Sequence, residues 1–398
     1  ERFGNRPCYR QYKVLECSRD GRRVTLYGSM AASRTGWAYP RGVAREIIEH
    51  VGPYVEALET TPDSGLVHGW FGEDVAEEIS QMQADWVADC AAYLAQREDW
   101  DVLFAQYHAP DGQNHMYLRD LEHRNPKVRE RADRVFEHTL RMLFEMVDRI
   151  RKACADDNTV VCVVSDHGNM PITHHVNGHG VMLREGWTRW KRNRSTGRWD
   201  LDDHRSKAVW IGDQSGIWLN VRGREKHGCV RPGAEYERLR SQIVHRLRAI
   251  TDPKTGADVF ALVARREDLA SLGLWGERVP DIMAFARPYY LFFAPGHAGM
   301  SQELMAYTRD APEVGPLDPA IRAGVIRDLG AVHWHLPTAS CGYGSTRASC
   351  LLAGPGIARG RRRGNVNLVD VAPTLAHLLG IAPPKDCEGR VVHEALTD

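Results

Sequence analysis

The 398-residue chain has no excess of either charge, since 52 Lys and Arg residues face 52 Asp and Glu residues. That balance removes the electrostatic case for a protein dedicated to duplex nucleic acid or to a membrane surface. It also lacks any apolar run near the roughly 18 residues that a membrane-spanning helix needs, and it has no internal repeat and no low-complexity tract. Its nine cysteines include no CxxC pair, and an odd number cannot all pair with one another. Several, such as Cys162 and Cys350, stand in apolar strand-like runs and read as small buried hydrophobes, which points to a reducing compartment and a cytoplasmic location. A signal peptide, had there been one, would precede Glu1. Two short basic runs, WKRNR at 190–194 and RGRRR at 359–363, read as solvated loops.

What the chain does contain is an alternation of strand-like and helix-like segments. Apolar runs at 102–107 (VLFAQY), 159–164, 217–221 (IWLNV), 281–286 (DIMAFA) and 349–353 (SCLLA) have strand length. Between them lie helical patterns at about 74–97, 126–153, 234–249 and 369–380, the second with Val135, Leu140, Leu143, Met146, Val147 and Ile150 at i,i+3 and i,i+4 spacing. The run Val160, Val161, Cys162, Val163, Val164 shows no polar alternation, which reads as a strand buried on both faces. The fold class expected is therefore α/β, a mostly parallel sheet sandwiched by helices. Residues 184–330 carry more Gly and Pro punctuation and read as an insertion on a single domain spanning 1–398.

Three strand ends concentrate groups that bind metals. After VLFAQY, the segment HAPDGQNHMY sets Asp111 and His115 four residues apart; after VVCVVS come Asp166, His167 and Gly168; and GAVHWHLPT offers His333 and His335. Open α/β sheets place reactive groups at the carboxyl ends of strands. Carboxylate and imidazole without thiolate suit zinc or manganese in a hydrolytic centre better than a structural zinc knot. Asp111 with His115 and His333 are weak signals alone, since Pro-Asp-Gly is an ordinary turn and a lone loop histidine an ordinary residue; Asp166 and His167 after a wholly apolar strand are a stronger one, since an Asp and a His at a buried strand's end need partners. Their joint occurrence, each at a strand terminus, is what carries the reading.

The segment PDGQNH resembles the Pro-Asp-x-x-Gly-His motif, and SDHGNM the Ser-Asp-His-Gly-Met motif, of type I phosphodiesterase/nucleotide pyrophosphatases in the alkaline phosphatase superfamily. The resemblance continues through 215–247, TDPKTGADVF at 251–260, VPDIMAF at 279–285, LLAGPGIARG at 351–360 and 367–384. It implies an alkaline phosphatase-like core and a hydrolase of phosphate esters, with a small-molecule substrate that in this family is a nucleotide. It implies two divalent metals, zinc first and manganese second. Asp111, His115 and His333 would bind one of them, with His335 as the alternative to His333, and Asp166 and His167 would bind the other. His174, His175 and His179 would be neighbours of the ligands or contacts for substrate, against the plainer reading that a loop histidine is neither. Asn114 departs from the family pattern, where Gly precedes the histidine.

The front of the chain departs further. The family begins with a strand ending in Asp and a Thr or Ser nucleophile, whereas VTLYGSMAASRTGWAYPRGVAREI at 24–47 resembles the segment that follows that nucleophile. Thr60 and Thr61 precede a proline, but in the wrong order relative to Tyr39-Pro40. The expectation is that the N-terminal part, with the nucleophile and a sixth metal ligand, lies upstream of this chain. Competing readings are an enzyme like the cofactor-independent phosphoglycerate mutases, whose motif DHGN also resembles, and a metal-binding pseudoenzyme.

Overall fold

The computed structural model of the chain describes residues 2–3, 6–29, 31–54, 69–97, 99–211, 216–292, 300–316, 348–360 and 364–397. Thr60, Thr61, His333 and His335 lie outside the described residues. The helices are α1 (Val43–His50), α2 (Glu73–Arg97), α3 (Ala109–Tyr117), α4 (Pro126–Cys154), α5 (Gly178–Arg184), α6 (Ala234–Arg248), α7 (Gln302–Asp310) and α8 (Val371–Leu378). None of these is long and apolar enough to cross a membrane. The four helices expected from periodicity are present, with ends shifted by a residue or two. Their caps explain the boundaries. Asn125 accepts the Lys127 N–H ahead of α4, Pro126 occupies its first turn, and Arg151 and Lys152 sit at its negative end. α2 and α4 pack through Ala84, Val87 and Ala88 against Met146, Leu143 and Val147, with Arg149 bridging Asp85 and Asp89 across the seam.

The strands differ from expectation in direction. β1 (Arg2–Phe3), β2 (Arg6–Tyr9) and β5 (Ala32–Ser33) form one small sheet, and β3 (Tyr12–Cys17) pairs with β4 (Val24–Gly28). β6 (Val161–Val164) pairs with β16 (Cys350–Ala353), while β7 (Ile172–Val176) lies between β14 (Tyr289–Phe292) and β15 (Val314–Pro316). β8 (Trp190–Arg192) pairs with β9 (Trp199–Leu201). β10 (Ala208–Ile211), β11 (Gly216–Leu219), β13 (Ile282–Ala286) and β12 (Phe260–Arg265) form a four-stranded sheet in that order. Among the described strands only β7 with β14 runs parallel, so the mostly parallel sheet is not what these residues build. Apolar runs fix strand propensity, but periodicity is blind to the direction of the partner.

Two further expectations are corrected. Residues 102–107 do not join a sheet, and Phe104 is 85 % exposed. β6 is half-buried, pairs antiparallel with β16 in the register Cys162 to Leu352, and leaves Cys350 exposed and not in a core. The largest hydrophobic cluster among the described residues instead lies mostly in the segment read as an insertion. There Ile217 and Leu219 of β11, Ile282 and Ala284 of β13, and Leu239, Ile243 and Leu247 of α6 close on one another.

One buried charge organises this core. Asp281, at 0 % exposure, accepts hydrogen bonds from the Leu219 N–H at 2.7 Å, from Arg224 at 2.7 and 2.6 Å, and from the Tyr236 hydroxyl at 2.8 Å. Burial alone would raise its pKa. Arg224, the Leu219 amide and Tyr236 together outweigh that and hold the carboxyl below its ordinary value. The stabilisation is thus present above the ordinary carboxylate pKa and lost in acid. Asp281→Ala leaves the Leu219 N–H and the Tyr236 hydroxyl without their acceptor and takes from Arg224 one of its two carboxylates, and the expected cost is about 1–3 kcal/mol, read as a fall in the urea midpoint at neutral pH. An unchanged midpoint would show the network to be dispensable.

His179 gives a second, separable acid response. It stands in α5, whose Asn177 cap accepts the Gly180 N–H at 2.9 Å and donates to the Thr308 carbonyl at 3.0 Å. At Gly178 a Cβ would come within 2.8 Å of the Trp210 ring, so the helix start sits against β10. His179 is 3 % exposed, neither ring nitrogen has a hydrogen-bond partner among the described residues, and burial pushes its pKa from 6.5 down to about 3. The unfolded chain binds this proton below pH 6.5 and the folded chain does not, so stability falls as pH drops through that window by up to about 1.4 kcal/mol per unit. In His179→Leu that one-proton slope between pH 6.5 and 5 should disappear from the unfolding free energy; a slope equal to wild type would place the proton uptake elsewhere.

Candidate metal centre

The two motif loops meet through a side-chain hydrogen bond. Asp111 lies in the first turn of α3, after His108 at the cap position and Pro110, whose missing N–H costs nothing there. The expected turn at Pro-Asp-Gly is thus the start of a helix. The Asp111 carboxylate is 14 % exposed. Its Oδ1 accepts from Asn169 Nδ2 at 2.9 Å, and its Oδ2 lies 3.1 Å from His108 Nε2. Asn169 stands three residues beyond Asp166, so the strand end after β6 and the start of α3 are in contact. Asn114 adds a second link by donating from Nδ2 to Asn169 Oδ1 at 3.1 Å. The residue that departs from the family pattern thus ties the two loops together, which a glycine has no side chain to do.

At the strand end, Ser165 continues the pairing of β6 with β16 by donating its N–H to the Ser349 carbonyl at 3.0 Å, and its hydroxyl donates to the His167 carbonyl. Asp166 is 76 % exposed and accepts the His167 N–H at 3.1 Å. The His167 ring is largely covered. Its Nδ1 is 3.1 Å from the Gly168 carbonyl, an acceptor that fixes the neutral ring with its proton on Nδ1. Nε2 is then the lone-pair nitrogen, 3.6 Å from Asp166 Oδ2. This is how metal-binding imidazoles are oriented, by a carbonyl or carboxylate on the other nitrogen.

The donor set fits a divalent ion. An ionised carboxylate offers about four lone-pair sites, which two hydrogen bonds do not exhaust, and Asp166 with His167 presents oxygen and nitrogen side by side. His115 lies on α3 about one turn beyond Asp111, and its side chain is outside the described part, as are His333 and His335. Asp111, Asp166 and His167 do not converge on one point among the described residues; the group that does is Asp203, His204 and His227. The three neighbouring histidines have contacts of their own. His174 stacks near Tyr290, His175 contacts the Pro316 carbonyl at 3.2 Å and the Tyr307 hydroxyl at 2.7 Å, and His179 is buried in α5. Sequence reasoning missed His108 and Asn169 as partners of Asp111; the i,i+3 spacing from His108 to Asp111 was a signal for the first.

The Asn169 amide should therefore couple energetically to Asp111. In chelator-treated protein, a double-mutant cycle of Asn169→Ala and Asp111→Ala followed by urea unfolding should give an interaction of about 0.5–3 kcal/mol. Additive losses would show that the contact does not join the two loops.

A family model described as type I phosphodiesterase / nucleotide pyrophosphatase matches residues 16–304. Two solved structures are similar: wild-type alkaline phosphatase PafA, at 14 % identity and a TM-score of 0.48, and a variant of PafA with four substitutions, at 13 % and 0.46. Each match covers 81 % of this chain and 53 % of the other, so the chain spans about half the length of the structures it matches. No curated protein matches the chain.

Proposed function

The chain belongs to the type I phosphodiesterase / nucleotide pyrophosphatase family, and from that premise we propose that it is a metal-dependent hydrolase of phosphate esters of the diester or pyrophosphate type. The observation that carries the reading is the hydrogen bond from Asn169 to Asp111, which sets the two ligand-bearing loops against each other. In this reading Asp111, with His115 and His333, holds one divalent ion, and Asp166 with His167 holds the second; zinc is the first choice and manganese the next. Ions held there would supply positive charge to a phosphate ester undergoing displacement.

The chain's own residues prepare that site. His108 and Asn169 take up one lone pair on each Asp111 oxygen and so fix the plane of the carboxylate. The Gly168 carbonyl keeps the His167 proton on Nδ1 and turns Nε2 toward Asp166. Asp166, the most exposed of the three, is open to solvent. The attacking hydroxyl, a threonine or serine in this reading, is assigned to no residue of this chain. A nucleotide is the substrate class that the family suggests.

The test pairs metal content with turnover. Elemental analysis of wild type, Asp111→Ala and Asp166→Ala should show metal falling in each variant. Any hydrolysis of bis(p-nitrophenyl) phosphate should stop on chelation and return with zinc or manganese, and loss of either carboxylate should lower kcat/KM at least about a hundredfold. Metal bound without turnover is the result expected where the attacking hydroxyl is missing. Turnover that survives chelation would remove the metal-dependent hydrolase reading, and folded protein that binds no metal at Asp111 or Asp166 would remove the ligand assignment.

A further inference from the structure

A second set of metal-binding groups lies outside all of these motifs. Asp203 and His204 stand in the turn between β9 and β10, His227 stands in the loop after β11, and one ligand atom from each falls within 4.8 Å of the others. Asp203 Oδ2 is 3.6 Å from His227 Nε2, and Asp203 Oδ1 is 4.0 Å from His204 Nε2. The two imidazole rings face each other with centroids 4.1 Å apart and planes 37° from parallel. One divalent cation between them would be liganded by all three groups.

We propose that Asp203, His204 and His227 form a binding site for a divalent transition-metal ion of the zinc type, separate from the centre built on Asp111 and Asp166. Two imidazoles select zinc-like ions over calcium and magnesium, which take oxygen ligands. Three protein ligands leave the fourth position of a tetrahedron for water. Bonds of about 2.0–2.1 Å in a tetrahedron put ligand atoms roughly 3.3–3.5 Å apart, so the group must close by about 1.5 Å at most. Side chains that are 49 %, 63 % and 30 % exposed for Asp203, His204 and His227 have the room to do so.

The backbone under the ligands is already held. Asn220 Nδ2 donates to the carbonyls of Asp203 at 2.7 Å, Ser206 at 2.9 Å and His227 at 3.2 Å, joining the turn to the loop at their bases. A bound ion would join them a second time at their tips, and most of the ordering that such a site requires is therefore in place without metal. The cation that competes for Asp203 is Lys191, whose Nζ is 3.7 Å from Asp203 Oδ1 and 3.9 Å from Asp202 Oδ1. With Asp202 beside it, the ammonium keeps a carboxylate partner when the ion takes Asp203.

Zinc titration by calorimetry and elemental analysis of the full chain, stripped with chelator, tests the site without reference to turnover. Four proteins are compared: wild type, His204→Gln with His227→Gln, Asp111→Ala with Asp166→Ala, and all four substitutions together. The paired histidine variant should bind one zinc fewer than wild type. The paired aspartate variant should keep one zinc that the fourfold variant loses, which separates this site from the proposed catalytic centre, so either can fail alone. Asp203→Asn should weaken the same zinc at least about tenfold, and it decides the matter if the paired histidine variant does not fold. Equal zinc in wild type and in a paired histidine variant with an unchanged circular dichroism melt would overturn the proposal, as would an Asp203→Asn affinity equal to wild type.

Discussion

The burial of one ionised carboxylate, Asp281, is the constraint from which much of the described structure follows. A charge taken out of water costs several kcal/mol unless its partners arrive together, and the partners here come from three separate elements. Leu219 supplies its amide from the last position of β11, Tyr236 its hydroxyl from α6, and Arg224 its guanidinium from the loop after β11. The lateral position of β11 against β13, the seat of α6 on the sheet and the path of the loop are thereby set in one step. Arg224 also donates to the Leu219 carbonyl at 2.6 Å, which closes the loop back on its own strand. His227 sits three residues further along that loop, and Asn220 is the residue after Leu219. The geometry of the Asp203, His204 and His227 group is thus inherited from a charge that touches none of the three.

The contact between Asp111 and Asn169 follows the same logic with weaker partners. An amide holds one oxygen of the carboxylate and an imidazole ring lies against the other, so the plane of the group is set from both sides. Neither of these partners is an Arg or Lys, whose fixed charge would compete with a cation for the carboxylate. The helix start contributes in the same direction, since its unpaired N–H groups favour an anion in the first turn. Asn114 then braces Asn169 from the opposite side.

What could be read from the sequence divides along physical lines. Helices were legible because the signals are local: apolar spacing along 126–153, Asn125 and Pro126 at the start of α4, and basic residues at its end. Strands were legible as segments, as at 282–286 and 350–353. Their partners were not, because pairing direction is decided by the chain path between strands. The unbroken apolar run at 160–164 therefore suggested a strand buried on both faces in a parallel sheet, and the strand found is half-buried and antiparallel to β16. The run at 102–107 had the composition of a strand and no strand partner among the described residues. For the site, the motifs located Asp111, Asp166 and His167, but nothing in PDGQNH or SDHGNM indicates that Asn169 is the residue through which they touch. Asp203, His204 and His227 carried no signal at all. They are brought together by Asn220 across 23 residues of chain, and no spacing rule describes that.

Comparison of the two donor sets indicates how they would divide a limited supply of metal. The Asp203 group has two imidazoles and one carboxylate converging within a few ångströms, but its carboxylate is half-exposed and already shared with Lys191. In the proposed centre Asp111 has two imidazole companions, His115 and His333, which is the same donor set, and its largely buried carboxylate is held in place before any ion arrives. One carboxylate with two imidazoles prefers zinc to manganese at both places, so ligand chemistry does not sort the metals between them. Preorganisation lowers the ordering cost of binding, and the Asp111 carboxylate is the better held of the two. The two sets are therefore expected to differ in strength more than in selectivity, with limiting zinc going to the Asp111 side first.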